Sequence, residues 1–171
     1  MDGRTFTQPL TLRLDPRVKT PAAGLTQLAT LSREMYDAAA AARAAYGQAR
    51  ALVAALDSLP GNDAAAFKAQ VESLAPAPRP RVRRFFRPGP AEPPTLESVS
   101  NGLLAAAMAM QGADVAPTAA QVAGCDRARA ESTAVMVRWT RLKTVGLAAF
   151  NATRSAAELA PLRLRGVAPD R

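Results

Sequence analysis

The chain has 171 residues and a net charge of +8, and 49% of its residues are hydrophobic but only 5% are aromatic; it therefore has room for one domain whose core is built from Ala, Leu and Val. It has no histidine and a single cysteine, which excludes serine–histidine catalysis, histidine-ligated zinc, a cysteine-ligated metal cluster and an internal disulfide. Because it has no apolar run of about 18 residues and no signal-peptide pattern at its start, we expect a soluble chain without a membrane span.

The first 19 residues have the alternation of a half-buried β-strand. Apolar side chains alternate with threonine and arginine at Phe6, Leu10, Leu12 and Leu14. The dipeptide Asp2-Gly3 is typical of a hairpin turn, but only Met1 precedes it. We therefore expect a strand over residues 4 to 15 whose partner strand is missing; the alternative is a frayed N-terminus.

A long proline-free window predicts a first helix from Thr20 to about Ser58. Thr20 would be its N-cap and Pro21 its first helical residue, where the missing N–H is not needed. Its apolar residues lie three and four apart, a seam that favours near-antiparallel packing against another long helix. They are Leu28, Leu31, Met35, Ala38, Ala42, Ala45, Ala49, Leu52 and Leu56.

Two shorter helices are predicted next, one capped by Asn62 or Asp63 and the other running from an N-cap at Thr95 to a C-cap at Gly112. Their apolar stripes are Phe67, Val71 and Leu74 in the first, and Leu96, Val99, Leu103, Ala106, Ala107 and Met110 in the second. Between them, residues 75–94 contain seven prolines and five arginines. This segment is expected to be an exposed loop, because each proline removes a backbone donor.

The longest proline-free window, from Thr118 to Ala160, predicts one long helix. Thr118 and Gln121 have the spacing of a capping box. About 38 residues would form a rod roughly 57 Å long, which is not stable alone, so its stripe must be covered within the fold. The stripe consists of Val122, Cys125, Ser132, Val135 or Met136, Trp139, Leu142, Gly146 and Ala149.

Small residues inside the helices predict close approach between them. Ala38 to Ala45 would let a partner helix come near, and Trp139 could fill the space that these alanines leave. Gly102, Gly124 and Gly146 lie inside helices, where a close approach is the expected reason for glycine.

The predicted fold class is all-α, an up-and-down four-helix bundle of two long and two short helices, preceded by a short N-terminal β-strand. Residues 1–19 would be the strand remnant and 20–162 the bundle, with a proline- and arginine-rich loop at 75–94. Residues 163–171 would be a tail, although Leu162, Leu164 and Val167 are spaced to lie back on the bundle.

The candidate binding site in the sequence is the basic segment within this loop. Its arginines could neutralise phosphates while its phenylalanines stack on bases. The possible anion-binding residues are Arg79, Arg81, Arg83, Arg84, Phe85, Phe86 and Arg87. The alternative is a solvated loop without a ligand, which the phenylalanine pair attaches to the bundle.

Catalytic residues are not predicted anywhere in the chain. The nearest pair of carboxylates, Glu34 and Asp37, lies beside Arg33 and flanks the apolar seam. That pattern is typical of a solvated helix face. No cofactor-binding or metal-binding residue is predicted either.

Two stretches resemble a known family: Gln8 to Ala22, which reads QPLTLRLDPRVKTPA, and Gln111 to Gln121, which reads QGADVAPTAAQ. Both are similar to the C-terminal part of large bacterial proteins with sortilin-like or BNR-type repeats, often labelled glycosyl hydrolases. In that family a β-propeller is followed by a small β-sandwich, whose last strand reads much like residues 5 to 15, and then by a helical region. The loop at 75–94 departs from the family pattern, and no propeller motif is present.

The resemblance implies a non-catalytic structural and interaction module, the C-terminal accessory part of a larger sortilin-like protein. Its partners would be the β-sandwich or propeller domains of that parent, or another chain. Export of the parent is also implied, although this sequence has no signal for it. The alternative function is a basic module that binds nucleic acid or an anionic surface through residues 79–87.

Overall fold

The part of the chain that the structure describes folds into four helices, the last of which changes its winding part of the way along. The computed structural model describes residues 5, 7–11, 13–78 and 93–164. The elements are α1 (Ala22–Asp57), α2 (Asn62–Leu74), α3 (Leu96–Met110), α4 (Ala119–Arg141), a π-helical segment (Leu142–Gly146) and α5 (Leu147–Ala156). We call the last three together the C-terminal rod. Helices contain 71% of the described residues, which confirms the all-helical prediction.

Two of the predicted N-caps form as reciprocal hydrogen-bonded boxes. The Gln121 backbone N–H donates to Thr118 Oγ1 over 3.2 Å, and Thr118 N–H donates to Gln121 Oε1 over 2.8 Å. Thr95 and Ser98 make the same pair of bonds at the start of α3. Each box satisfies two backbone donors that the first turn leaves free, so these helix starts are determined locally.

The other predicted caps are wrong. Pro21, not Thr20, is the N-cap of α1, because the Thr20 hydroxyl donates instead to the Asp114 carbonyl oxygen over 2.6 Å. Gly61 is the N-cap of α2 with φ of 111°, a backbone conformation that glycine adopts far more readily than the predicted Asn62 or Asp63. Gln111, rather than Gly112, is the C-cap of α3.

The two long helices run parallel to each other. Near the start of α1, Thr20 bonds to Asp114 in the link before the rod, and further along Glu34 pairs with Arg129 at 2.6 Å. Residue numbers therefore rise together along both helices. The seam of α1 had predicted an antiparallel long partner, and the antiparallel partners are instead the short helices.

Helix α2 runs antiparallel to the second half of α1. Lys68 pairs with Asp57 at 2.5 Å near the end of α1, and Arg50 lies 3.9 Å from Glu72, one turn further along α2. With 13 residues, α2 is about 20 Å long and covers less than half of α1, which is about 54 Å long.

Helix α3 runs antiparallel to the first half of α1. Ser100 Oγ donates to the Ala39 carbonyl oxygen over 3.0 Å, and Met110 at the end of α3 shares a buried cluster with Met35. The two short helices thus lie one after the other along α1, in a single column. Neither short helix is long enough to cover the whole seam of α1. A cross-section through the described residues therefore contains three helices: α1, the rod and one of the two short helices.

The core divides into two clusters along the bundle. The small core cluster contains Met35, Ala39, Leu103, Ala107, Met110 and Cys125. The large core cluster includes Ala42, Ala45, Ala49, Phe67, Val135, Trp139 and Phe150. Trp139 therefore packs in the same cluster as the alanines of α1. Burial raises the pKa of the Cys125 thiol, since the interior disfavours the thiolate.

The rod buries the predicted stripe up to Trp139, and then the buried face changes. Cys125, Ser132, Val135 and Trp139 are buried as expected, but Ala149 is exposed while Leu147 and Phe150 are buried. The Leu147 N–H donates to the carbonyl oxygen of Leu142, five residues back. The extra residue in this turn rotates Leu147 back by roughly 100°, onto the face of Trp139.

Close helix approach explains Gly146 but not the other two helical glycines. A Cβ at Gly146 would lie 3.1 Å from Phe67 Cε2. At Gly102 no described atom lies within 4 Å of such a Cβ, and at Gly124 the nearest is Arg127 Nη2 at 4.0 Å. The prediction that another helix comes close to Gly102 and Gly124 was therefore wrong.

The chain after the rod returns to the bundle, as predicted for Leu162 and Leu164. Both pack against the large core cluster. The Asn151 amide holds this return, because Nδ2 donates to the Leu162 carbonyl oxygen over 2.9 Å and Oδ1 accepts from the Leu162 N–H over 2.8 Å. Val167 lies outside the described residues.

The predicted N-terminal strand is not present in the described part of residues 4–15. Residues 5, 7–11 and 13–15 have no regular secondary structure. Leu10 and Leu14 are 82% and 57% exposed, so neither belongs to a buried face. Alternation predicts a strand only if a second strand pairs with it, and the helices offer no sheet edge.

Replacing both Leu10 and Leu14 by Ser should leave the melting temperature of the chain unchanged within about 2 °C, because exposed apolar side chains contribute little to folding. Thermal unfolding followed by circular dichroism measures this. Leu103→Ser is the matched control, because Leu103 is completely buried and should lower the melting temperature markedly. A large loss in the Leu10/Leu14 variant would mean that this segment packs on the bundle.

Candidate functional site

The predicted anion-binding residues, Arg79 to Arg87 with Phe85 and Phe86, lie outside the described residues. Their role stays a prediction. Of the grooves on the described surface, two lie along the C-terminal rod, and another of about 460 Å³ lies between α1 and α3.

An open apolar groove runs between α1 and the rod, on the side that neither short helix covers. We call it the α1–rod groove, and its volume is about 590 Å³. It is lined by Ala38, Ala41, Ser132, Thr133, Met136, Val137, Thr140, Arg141, Thr144 and Val145. The α1 wall consists of alanines, whose short side chains leave room between the two long helices.

The rod wall of this groove is a second stripe, distinct from the one that faces the core. Thr133, Val137, Thr140 and Thr144 lie three or four residues apart and therefore along one face. Val137 and Val145 are each 62% exposed. Two valines off the main stripe were a signal in the sequence, but they are few enough to be read as ordinary exposed residues.

A smaller groove of about 320 Å³ lies between α2 and the rod. We call it the α2–rod groove, and it is lined by Gln70, Ser73, Leu74, Arg138, Arg141, Leu142, Val145 and Gly146. Arg141 and Val145 line both grooves. The two grooves therefore meet along a ridge formed by these two residues, and together they form one continuous surface.

The charge of this surface is positive. Among the described residues, Arg138 and Arg141 line the grooves and no carboxylate does. Over its whole length the rod has six basic and two acidic residues. Basic side chains with no acid beside them leave a positive field over the ridge.

Two nearby carboxylates, Glu34 and Asp126, are already paired with another basic residue, Arg129. Arg129 holds both Glu34, at 2.6 Å, and Asp126, at 2.7 Å, and hydrogen bonds to these carboxylates raise the pKa of Arg129. Glu34 therefore lies on a solvated face, as predicted, and does not neutralise Arg141. Asp37 is exposed and does not line either groove.

The described residues contain neither a cluster of metal ligands nor a helix suited to a membrane. Within them no group of three or more Cys, Asp or Glu side chains is arranged to hold a metal ion. Nor does any helix in these ranges have the length and hydropathy needed to cross a membrane.

Comparison with protein-family models, curated proteins and solved structures finds no match to this chain. The resemblance to sortilin-like proteins therefore stays a prediction.

Proposed function

We propose that this chain is a non-catalytic structural and interaction module, the C-terminal accessory part of a larger sortilin-like β-propeller protein. The observation that supports an interaction role is the α1–rod groove, an apolar cleft of about 590 Å³ left open between two long helices. Exposed apolar clefts of this kind are typical of docking sites.

The walls of the groove are rigid, which favours binding. Trp139 and Val135, on the face of the rod opposite the groove, are completely buried, and so is Ala42 on α1. A groove whose walls are already ordered loses little conformational entropy when a partner docks. The partner in this proposal is the β-sandwich or propeller of the parent protein, or another chain.

Calorimetric titration of the chain with the sandwich and propeller domains of sortilin-like proteins from the same genome tests the proposal. We expect binding that Val137→Glu weakens by at least about tenfold, because the new carboxylate would have to be desolvated in an apolar cleft. The matched control is Met108→Glu, since Met108 is 61% exposed on α3 and lines neither groove.

Two results would contradict the proposal. The first is that neither domain binds the chain. The second is that Val137→Glu and Met108→Glu weaken binding equally. Circular dichroism melts of both variants establish that a loss of binding is not a loss of folding.

A further inference from the structure

We propose that the α1–rod groove binds an amphipathic helix of a partner protein, with a carboxylate on that helix pairing with Arg141 on the ridge. This inference rests on the proposed function and names the chemistry of the partner.

The rod wall of the groove is long enough to lie along a docked helix, while the α1 wall contributes Ala38 and Ala41. The rod wall runs from Ser132 to Val145, a distance of about 20 Å, which matches a helix of about 13 residues. The side chains of Thr133, Val137 and Thr140 form a row of the kind that packs into the groove between rows on a second helix. Because the cross-section holds three helices at this level, a docked helix would complete a four-helix bundle.

The apolar lining and the basic ridge together select the sequence of that helix. Met136, Val137 and Val145 would contact an apolar stripe with residues three and four apart. Arg141 lies on the ridge between the two grooves, while Arg138, one turn before it, lines the α2–rod groove. A carboxylate on the side of the docked helix that faces the ridge would therefore meet Arg141. Arginine on the rim of an apolar interface determines which partner binds and how fast it associates.

Other occupants fit less well. A second copy of this chain would bring two molecules of charge +8 together, and like charges repel. Single-stranded nucleic acid typically stacks its bases on aromatic side chains, and among the described residues none lines either groove.

Three fluorescent probes test the inference by anisotropy. The first is a stapled helical peptide of about 18 residues with a leucine stripe and glutamates beside it. The second has the same leucines with lysines in place of the glutamates, and the third is a single-stranded DNA of about 20 nucleotides. We expect the glutamate peptide to bind at least about tenfold more tightly than the lysine peptide, with an affinity that falls as salt rises.

Paired variants locate the binding on the protein. Val137→Glu and Arg141→Gln should each weaken binding of the glutamate peptide by at least about tenfold. Met108→Glu and Arg127→Gln change the same charges at exposed positions outside both grooves, and should leave binding nearly unchanged.

The inference is overturned if the lysine peptide binds as tightly as the glutamate peptide, if Val137→Glu has no effect, or if DNA binds more tightly and depends on Arg141. If the β domains bind through Val137 but the glutamate peptide does not bind, this inference fails and the proposed function stands. If Val137→Glu affects neither the β domains nor the peptides, both are overturned.

Discussion

Replacing Trp139 by Ala should lower the free energy of unfolding by about 3 to 5 kcal/mol. Trp139 is 0% exposed and is the largest fully buried side chain in the described chain. Its neighbours in the large core cluster include Ala42, Ala45 and Ala49, which are too short to fill the cavity that the indole would leave. Urea unfolding followed by circular dichroism measures the change. Tryptophan fluorescence is unsuitable, because Trp139 is the single tryptophan of the chain and the variant lacks it.

The matched control is Trp139→Phe, which keeps an aromatic ring but removes the indole N–H. That N–H is buried and has no hydrogen-bond partner among the described residues. A buried donor without a partner destabilises the fold by about 1 to 3 kcal/mol, so its removal should offset much of the lost packing. We expect Trp139→Phe to destabilise the chain by less than half as much as Trp139→Ala. Equal losses would mean that the indole N–H has a partner, such as a buried water molecule.

Replacing Gly24 by Ala should also destabilise the chain, whereas the same change at Gly102 should stabilise it. A Cβ at Gly24 would lie 2.8 Å from Ala116 Cβ and 3.4 Å from Ala116 Cα. Overpacking of this kind typically costs about 1 to 3 kcal/mol. This is more than the up to about 1 kcal/mol that alanine gains over glycine in a helix. The link that contains Ala116 is held to α1 by the bond from Thr20 to Asp114, so it cannot move away freely.

Gly102 is the matched control, because a Cβ there has no described atom within 4 Å. We expect Gly102→Ala to raise the free energy of unfolding by about 0.4 to 1 kcal/mol. Gly146→Ala should fall between the two, since the ring of Phe67 at 3.1 Å can shift slightly. Urea unfolding of the three variants measures the order. If Gly24→Ala were as stable as Gly102→Ala, the close approach of the α3–α4 link to α1 would be wrong.

The helices themselves were predictable from the sequence. The windows without proline correspond to α1 and the rod, and the capping boxes at Thr95 and Thr118 mark two helix starts. Such signals act between residues that are three or four apart, so they are present before any tertiary contact forms. The apolar stripes likewise predicted which residues are buried in α2 and α3.

The predicted strand and the predicted caps show where local patterns stop being sufficient. Alternating residues around Leu10 and Leu14 require a partner strand, and the described chain contains none. Thr20 has the chemistry of an N-cap, but its hydroxyl bonds to Asp114 across 94 residues. In both cases the outcome depends on a distant group that the local sequence does not specify.

Two features of the rod could not be read from the sequence. The π-helical turn at Leu142–Gly146 shifts the buried face to Leu147, although the spacing of apolar residues had continued through Ala149. The α1–rod groove exists because both short helices lie on the other side of the long pair. A stripe of apolar residues determines that a helix face must be covered, but not which element covers it.

What the sequence by itself determined was the number and length of the described helices and, in the rod as far as Trp139, which face is buried, because helix formation depends on near neighbours. What only the tertiary structure decided was the parallel arrangement of the long helices, the single column of α2 and α3, and the open groove beside a basic ridge. These features depend on contacts such as that of Ser100 with Ala39, 61 residues away. Several arrangements can bury the same stripes equally well, and such distant contacts select one of them.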